Sequence, residues 1–368
     1  MSDAIDKGAS IITVDPRFST AAGKSKYWLP IKPSTDIALL LAWMNEIISK
    51  EYYDKKYVEK YCYGFEQLRN HVKDFTPEWA YGITTIAPDL IRKTAKEMAN
   101  ASPAVLIHPG RHVTWYGDDT QRIRAIAILN ALMGSWGRRG GFYRPARISV
   151  AGARIPPYKE PSKTWQDLFP GKYPVAGSVP TNILIDASIP ENNPGYPVKG
   201  WIINGTNLLS TIPDINTTTK AIQNLDLIVA IDTMPMEYTG WADVVLPECT
   251  YLERYDIIRT SPHRKPQIAL RMPAAEPMYN TKPGYWIARE LSKKLGLEAY
   301  FPYEKQEDLL DWQLKQLGTS LSEMKNIGVK TFEREYDDLY FAPDEQAEFA
   351  TDSGKIELYS SYLEQYGF

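Results

Sequence analysis

The sequence predicts an α/β protein built from two Rossmann-like parallel-sheet domains with helices on both faces, the first of them incomplete. Three observations carry this. The stretch Leu227–Glu253 holds two short β-branched runs, Leu227–Ile231 and Asp243–Leu246, each ending in a polar or proline-bearing loop. Runs of that length, bounded by turn residues, read as parallel strands buried on both faces. Every residue with chemical potential falls just after an apolar run, where open α/β sheets bind ligands. The chain also opens on a helix tail and a single strand, whereas a parallel sheet is normally entered by a strand, so the first domain reads as lacking its start.

Taken in order, Asp3–Lys7 reads as a helix tail ended by Gly8. Ser10–Val14 is a strand closed by Asp15-Pro16-Arg17, because proline cannot continue a central strand. Tyr27–Ile31 is a second extended run, and Ile37–Ser49 a helix apolar on most sides and therefore buried. Tyr52–Thr76 reads as one or two short helices, and Leu90–Asn100 as an amphipathic helix with Pro88 in its first turn. Ala104–Ile107 reads as a buried strand ending in His108-Pro109-Gly110-Arg111-His112. Asp118–Met133 is a helix stopped by Gly134, followed by the basic glycine-rich loop Gly134–Gly141. After an excursion rich in Pro, Lys and Tyr, Trp201–Ile203 is a strand ending in Asn204-Gly205-Thr206-Asn207, and Asp214–Asn224 a crossover helix. Pro283–Leu295 and Glu304–Lys325 are helical, and short strands return around Gly354–Leu358. This divides the chain into an incomplete α/β domain (1–111), a second α/β domain (112–300, with the proline-rich excursion at 142–197) and a helical and short-strand connector (301–368).

Composition narrows the function by exclusion. In 368 residues the formal net charge of −3 supplies no field for nucleic acid or an anionic membrane. The longest apolar run, Ile37–Met44, is far short of a membrane span, and the N-terminus carries no export signal. Two distant cysteines, Cys62 and Cys249, exclude a cysteine-only iron–sulfur or zinc site, and the four histidines form no metal-ligand pattern. The glycine fingerprints of nicotinamide enzymes, P-loop proteins and α/β-hydrolases are absent. What remains is a set of polar loops at strand ends, suited to a large nucleotide-like ligand: carboxylates accept from base N–H groups, while amides and hydroxyls hold phosphates. Asp15 reads equally as a turn former beside Pro16, whereas Thr35 or Asp36 reads first as a plain helix cap. Arg111 reads equally as an anion holder and as a surface loop residue, and His112 as a structural histidine. Gly137–Gly141 with Arg138 and Arg139 reads as a phosphate cradle or, more simply, as a solvated loop.

Four ordered segments then resemble one family: GASIITVDPRFSTAAGKSKYWLPIKPSTDIALLLAWMNEII, ALMGSWGRRGGFY, KGWIINGTNLLSTIPD and WADVVLPECTYLERYD. In order and spacing they resemble the molybdopterin oxidoreductases of the dimethyl sulfoxide reductase superfamily. The loop HPGRHVTWYGDDTQRIRAI is most similar to the thiosulfate and polysulfide reductase catalytic subunits, with arsenate and tetrathionate reductases close behind. The resemblance implies a molybdenum bis(molybdopterin guanine dinucleotide) cofactor. Asp15, Arg17, Ser34, Thr35 and Asp36 would line one dinucleotide, and Gly205, Thr206, Asn207, Ile231 and Asp232 the other. Arg111, with His112 beside it, would face the metal and hold a small anionic sulfur substrate. No metal ligand is assigned within the chain. The resemblance places a [4Fe-4S] segment and the metal-ligating residue before the matching region, and a cofactor-closing domain after it, so the chain is expected to be the middle of a catalytic subunit that purifies without molybdenum. It also implies an iron–sulfur electron-transfer subunit, a membrane-anchor subunit and a place outside the cytoplasmic membrane in anaerobic respiration. Two further readings stay open: a non-catalytic nucleotide- or partner-binding remnant, and an arsenate, tetrathionate or formate oxidoreductase.

Overall fold

The computed structural model describes the chain except for residues 109, 111–116, 118, 160, 161, 194 and 343. It is α/β, with parallel sheets and helices as expected. Its strands, in chain order, are β1 (Ile12–Val14), β2 (Tyr27–Leu29), β3 (Cys62–Tyr63), β4 (Gly200–Asn204), β5 (Leu227–Asp232), β6 (Val244–Pro247), β7 (Arg259–Ser261), β8 (Gln267–Ala269), β9 (Val329–Thr331) and β10 (Ile356–Glu357). Two compact units divide them: Met1–Pro145 with Arg334–Phe368, and Ala146–Glu333.

The first unit is organised around the helix Asp36–Ser49. Its sequence DIALLLAWMNEIIS leaves no polar face, and its residues from Ala38 to Ile48 are almost all buried. The helices Pro77–Thr84, Pro88–Ala101 and Asp119–Leu132 pack around it. Polar side chains that this helix carries inside are paired: Trp43 Nε1 donates to Thr94 Oγ1 at 2.9 Å, and Asn45 Nδ2 to the Val72 carbonyl at 2.9 Å. Beside this core β1 and β2 run parallel, Ile12 against Tyr27 and Val14 against Leu29, so both strands end at one edge. β3 pairs with β10, also in parallel.

Ala104–Ile107 departs from the sequence reading. It is not a strand, although Val105 is buried and Leu106 exposed. Its hydrogen bonds go to a side chain instead: Asn130, 1% exposed, accepts from the Ile107 N–H at 2.9 Å and donates Nδ2 to the Ile107 carbonyl at 3.0 Å. One amide thus supplies the donor and acceptor that a neighbouring strand would otherwise provide.

In the second unit β4, β5 and β6 form a parallel sheet in that order, with Trp201 beside Ile228, Ile203 beside Ala230 and Ala230 beside Val245. Registered neighbours share a face. Trp201, Ile203, Ile228 and Ala230 pack on Ala221 and Ile222 of the crossover helix Ile215–Gln223 and on Ile185 of the helix Thr181–Ala187. The opposite face is open: Ile202 is 63% exposed, Leu227 47% and Val244 42%. The two runs of the organising stretch are therefore strands as read, but β6 lies at the sheet edge with Val244 and Val245 exposed on both of its faces.

An antiparallel sheet, β7–β8–β9, went unread. It seats Ile268 against Leu310, Leu314 and Met324. The region read as one helix over Glu304–Lys325 is two, Gln306–Gln316 and Leu321–Ile327. Gly318 at φ 67° breaks it, and Ser320 Oγ accepts from the Glu323 N–H at 3.1 Å to start the second helix.

Both cysteines are buried and free, Cys249 fully so. Burial pushes the Cys62 thiol up to about 12 and raises that of Cys249 as well. Only the thiolate reacts, and its fraction falls tenfold for each unit by which the pKa exceeds the pH. Iodoacetamide at pH 8 is therefore expected to label neither cysteine in the native chain and both after denaturation. Native labelling at either position would contradict the packing around it.

Candidate functional site

The predicted residues of the first unit stand beyond the carboxyl ends of β1 and β2. Asp15 follows β1 directly, and its backbone continues the pairing by donating to the Leu29 carbonyl at 3.2 Å. Its Oδ1 accepts from the Arg17 N–H at 2.8 Å, a turn that proline at position 16 favours and that leaves the Arg17 side chain exposed. Trp28 Nε1 donates to the Asp15 carbonyl at 2.8 Å and so fixes this turn to β2. Beyond β2, Ser34 holds φ 63°, a left-handed conformation uncommon for a residue with a side chain. Thr35 is the cap residue of the helix Asp36–Ser49, yet its hydroxyl donates backwards to the Lys32 carbonyl at 2.6 Å and does not close the helix end. The first amides of that helix, with half-buried Asp36 among them, remain available to a ligand.

The predicted residues of the second unit stand beyond β4 and β5. Gly205 turns at φ 59°, with nothing within 4 Å of where a Cβ would stand, so its backbone is open to close approach. Its N–H donates to the Ile231 carbonyl at 3.0 Å, tying the loop to the next strand, while the Ile231 side chain is buried. Thr206 is exposed. Asn207 donates Nδ2 to Glu237 Oε2. Its Oδ1 is buried and has no hydrogen-bond partner. Asp232 is held at both oxygens: Oδ1 accepts from the Thr233 N–H at 2.7 Å and Oδ2 from the Tyr238 hydroxyl at 2.8 Å. Tyr238 is fully buried, and burial, reinforced by the Asp232 carboxylate, raises its pKa so that the hydroxyl stays a donor. Glu237 is held below the usual carboxylate range by its own backbone N–H and by Asn207. Sequence reasoning missed Glu237 and Tyr238, because a short 3₁₀ turn, Glu237–Trp241, carries no periodicity. The available signal was their place in the loop after the strongest strand.

Glu248, at the end of β6, is differently placed. It is buried and paired with Arg254, and a Cβ on Gly284 would overlap its Oε1. Arg111 and His112 lie outside the described residues. The loop Gly137–Gly141 folds on itself: the Gly137 N–H donates to the Phe142 carbonyl at 2.7 Å, and the Gly141 N–H to the Arg138 carbonyl at 3.0 Å. Arg138 pairs with Asp54 and Arg139 with Asp337. These bonds use the Gly137 and Gly141 amides within the loop, and the two ion pairs stand at least partly exposed. A cleft of about 350 Å³ in the first unit, lined by Trp136, Tyr143, Arg144, Phe341 and Phe349, takes in none of the predicted residues. Among the described residues no group of three or more His, Cys, Asp or Glu side chains could hold a metal ion.

Polar loops beyond the carboxyl ends of parallel strands are how α/β folds hold nucleotides, and each unit presents such a set. Residues 1–294 match the molybdopterin oxidoreductase family, and the chain belongs to it. It is 32% identical to the thiosulfate reductase molybdopterin-containing subunit of Salmonella typhimurium, over 98% of this chain and 52% of that protein. To the dimethyl sulfoxide reductase of Escherichia coli it is 28% identical, over 96% of this chain and 48% of that protein. Acetylene hydratase from Pelobacter acetylenicus shares its architecture with a TM-score of 0.79 at 27% identity, over all of this chain and 53% of that one. The chain thus spans about half the length of the relatives it matches.

The nucleotide ends of a molybdenum–pterin cofactor fit the residues present. Asn207 Oδ1 is a buried acceptor lacking a donor, a state that costs about 1–3 kcal/mol until one arrives. The open backbone at Gly205 admits a phosphate, and the two fixed oxygens of Asp232 suit a base or sugar that presents donors.

Proposed function

We propose that this chain supplies the cofactor-gripping body of a molybdenum bis(molybdopterin guanine dinucleotide) oxidoreductase that reduces a sulfur compound, thiosulfate or polysulfide, in anaerobic respiration. The observation that carries it is the pair of loops beyond β4 and β5, where Asn207 and Asp232 are fixed with hydrogen-bonding capacity left over. The 32% identity to a thiosulfate reductase subunit supports the sulfur substrate. In this reading Asp15, Arg17, Ser34, Thr35 and Asp36 hold one guanine dinucleotide, and Gly205, Thr206, Asn207, Ile231 and Asp232 the other. When bound, the cofactor supplies the redox and atom-transfer chemistry at molybdenum. The chain's own residues bind and orient it: carboxylates take base and sugar donors, and the helix end at Asp36 and the open backbone at Gly205 take phosphate. Arg111, with His112 beside it, holds the anionic substrate. Electrons arrive through an iron–sulfur partner subunit attached to a membrane-anchor subunit outside the cytoplasmic membrane. Among the described residues no helix is long and apolar enough to cross a membrane.

The test is genetic and enzymatic. Extracts of the host and of a strain lacking this gene are assayed for oxidation of reduced methyl viologen. Loss of thiosulfate- or polysulfide-dependent oxidation is the expected result. Loss of dimethyl sulfoxide-dependent oxidation in its place would move the substrate to the other reductase class among the relatives. Retention of both activities would overturn the reading.

A further inference from the structure

Neighbouring residues of one short turn grip two of the predicted ligand residues in the second unit, Asn207 and Asp232. Glu237 accepts from Asn207 Nδ2, and Tyr238 donates to Asp232 Oδ2 at 2.8 Å. The targets stand on different loops, one after β4 and one after β5, so the turn Glu237–Trp241 sets their spacing as well as their orientation. The backbone beneath is pinned on both sides: the Gly205 N–H donates to the Ile231 carbonyl at 3.0 Å, and the Glu248 N–H to the Asp232 carbonyl at 3.0 Å.

The chemistry of the two grips is specific. An ionised Glu237 only accepts, so the Asn207 amide must turn its nitrogen toward it and offer its oxygen elsewhere. A tyrosine hydroxyl on one oxygen of Asp232, and the Thr233 N–H on the other, stop the carboxylate from rotating and leave its remaining lone pairs in a fixed direction. Such a carboxylate accepts two parallel donors, as the guanine edge offers with its ring N–H and exocyclic amine. Adenine presents a ring acceptor there, which a carboxylate repels.

We infer that the turn Glu237–Trp241 is a brace that presents Asn207 and Asp232 jointly to a guanine nucleotide, with Glu237 and Tyr238 as positioning residues acting through them. The inference rests on the cofactor reading above and adds the origin of its base selectivity. A brace of this kind governs the choice between bases more than binding itself, because phosphate contacts at the Gly205 backbone do not depend on it.

The test titrates the purified full-length chain with GDP and with ADP by calorimetry, with thermal melting as the control for folding. The unaltered chain is expected to prefer GDP by about tenfold or more, the scale of one well-placed hydrogen-bonded pair. Tyr238→Phe removes only the hydroxyl, and it is expected to bring GDP down to within about threefold of ADP while ADP binding stays unchanged. Glu237→Ala is expected to weaken GDP binding, and Glu237→Gln, whose amide oxygen still accepts from Asn207, to restore it. Glu237 is exposed, so this pair decides the matter if Tyr238→Phe does not fold. No preference for GDP in the unaltered chain overturns the cofactor reading and this inference together. A preference that survives both Tyr238→Phe and Glu237→Ala overturns the brace alone, as does an equal loss of GDP and ADP binding, which marks a merely structural role.

Discussion

Alanine at Gly141 is expected to destabilise the first unit by about 3 kcal/mol, enough to lower its melting temperature by on the order of 10 °C. A Cβ there would overlap the Ser135 carbonyl oxygen and stand 2.8 Å and 2.9 Å from the Ser135 C and Cα. These are backbone atoms and cannot swing aside. Moving that carbonyl would also break the bond it accepts from the Phe142 N–H at 2.7 Å, which closes the loop. Trp136 and Phe142, stacked at 4.2 Å across the loop, would then separate. Gly152→Ala is the matched control, because nothing stands within 4 Å of its Cβ position. Calorimetric melting of both variants checks the expectation, and equal melting temperatures would show that the loop relaxes at no cost. The same closure gives these glycines a packing role: Gly137 and Gly141 both turn their amides to carbonyls of the loop and its flank.

How much could be read from the sequence follows from how far each signal extends along the chain. The helix Asp36–Ser49 was legible because fourteen residues without a polar face leave burial as the one outcome. The parallel pair β4 and β5 was legible because both runs end at loops of Gly, Asn, Thr and Asp, which also marked Asn207 and Asp232. The sheet β7–β8–β9 was not, since each strand has three residues and β9 is distant in sequence from the β8 it pairs with. The brace was hidden for a related reason. Tyr238 is recognisable only through the atom it touches, and hydrophobic patterning reports burial without reporting which hydroxyl meets which carboxylate. Val244 and Val245 show the converse failure: β-branched residues announced a strand correctly, but whether a face is covered depends on what packs against it, and these two stand 42% and 51% exposed.

Asn130→Ala is expected to cost about 2–6 kcal/mol, because it strips two backbone groups of their partners at about 1–3 kcal/mol each. The Asn130 side chain bonds the Ile107 N–H at 2.9 Å and the Ile107 carbonyl at 3.0 Å, and it also donates to the Ile126 carbonyl at 2.9 Å within its own helix. Asn130→Asp separates the two halves of that role, since a carboxylate still accepts from the Ile107 N–H but has no hydrogen for either carbonyl. It is therefore expected to be at least as damaging as alanine, with two carbonyl oxygens facing a buried negative charge. Denaturant unfolding measures the loss, and hydrogen exchange at the Ile107 amide locates it. Rapid exchange there in Asn130→Ala but not in Asn130→Asp is the expected signature. Ile107 is the last residue before the loop that carries Arg111 and His112, so the amide of Asn130 sets where that loop leaves the core. If Arg111 holds the anionic substrate as proposed, Asn130→Ala also raises KM for the sulfur compound in the assembled enzyme. An unchanged KM in a variant with a freely exchanging Ile107 amide would separate this anchor from the substrate site.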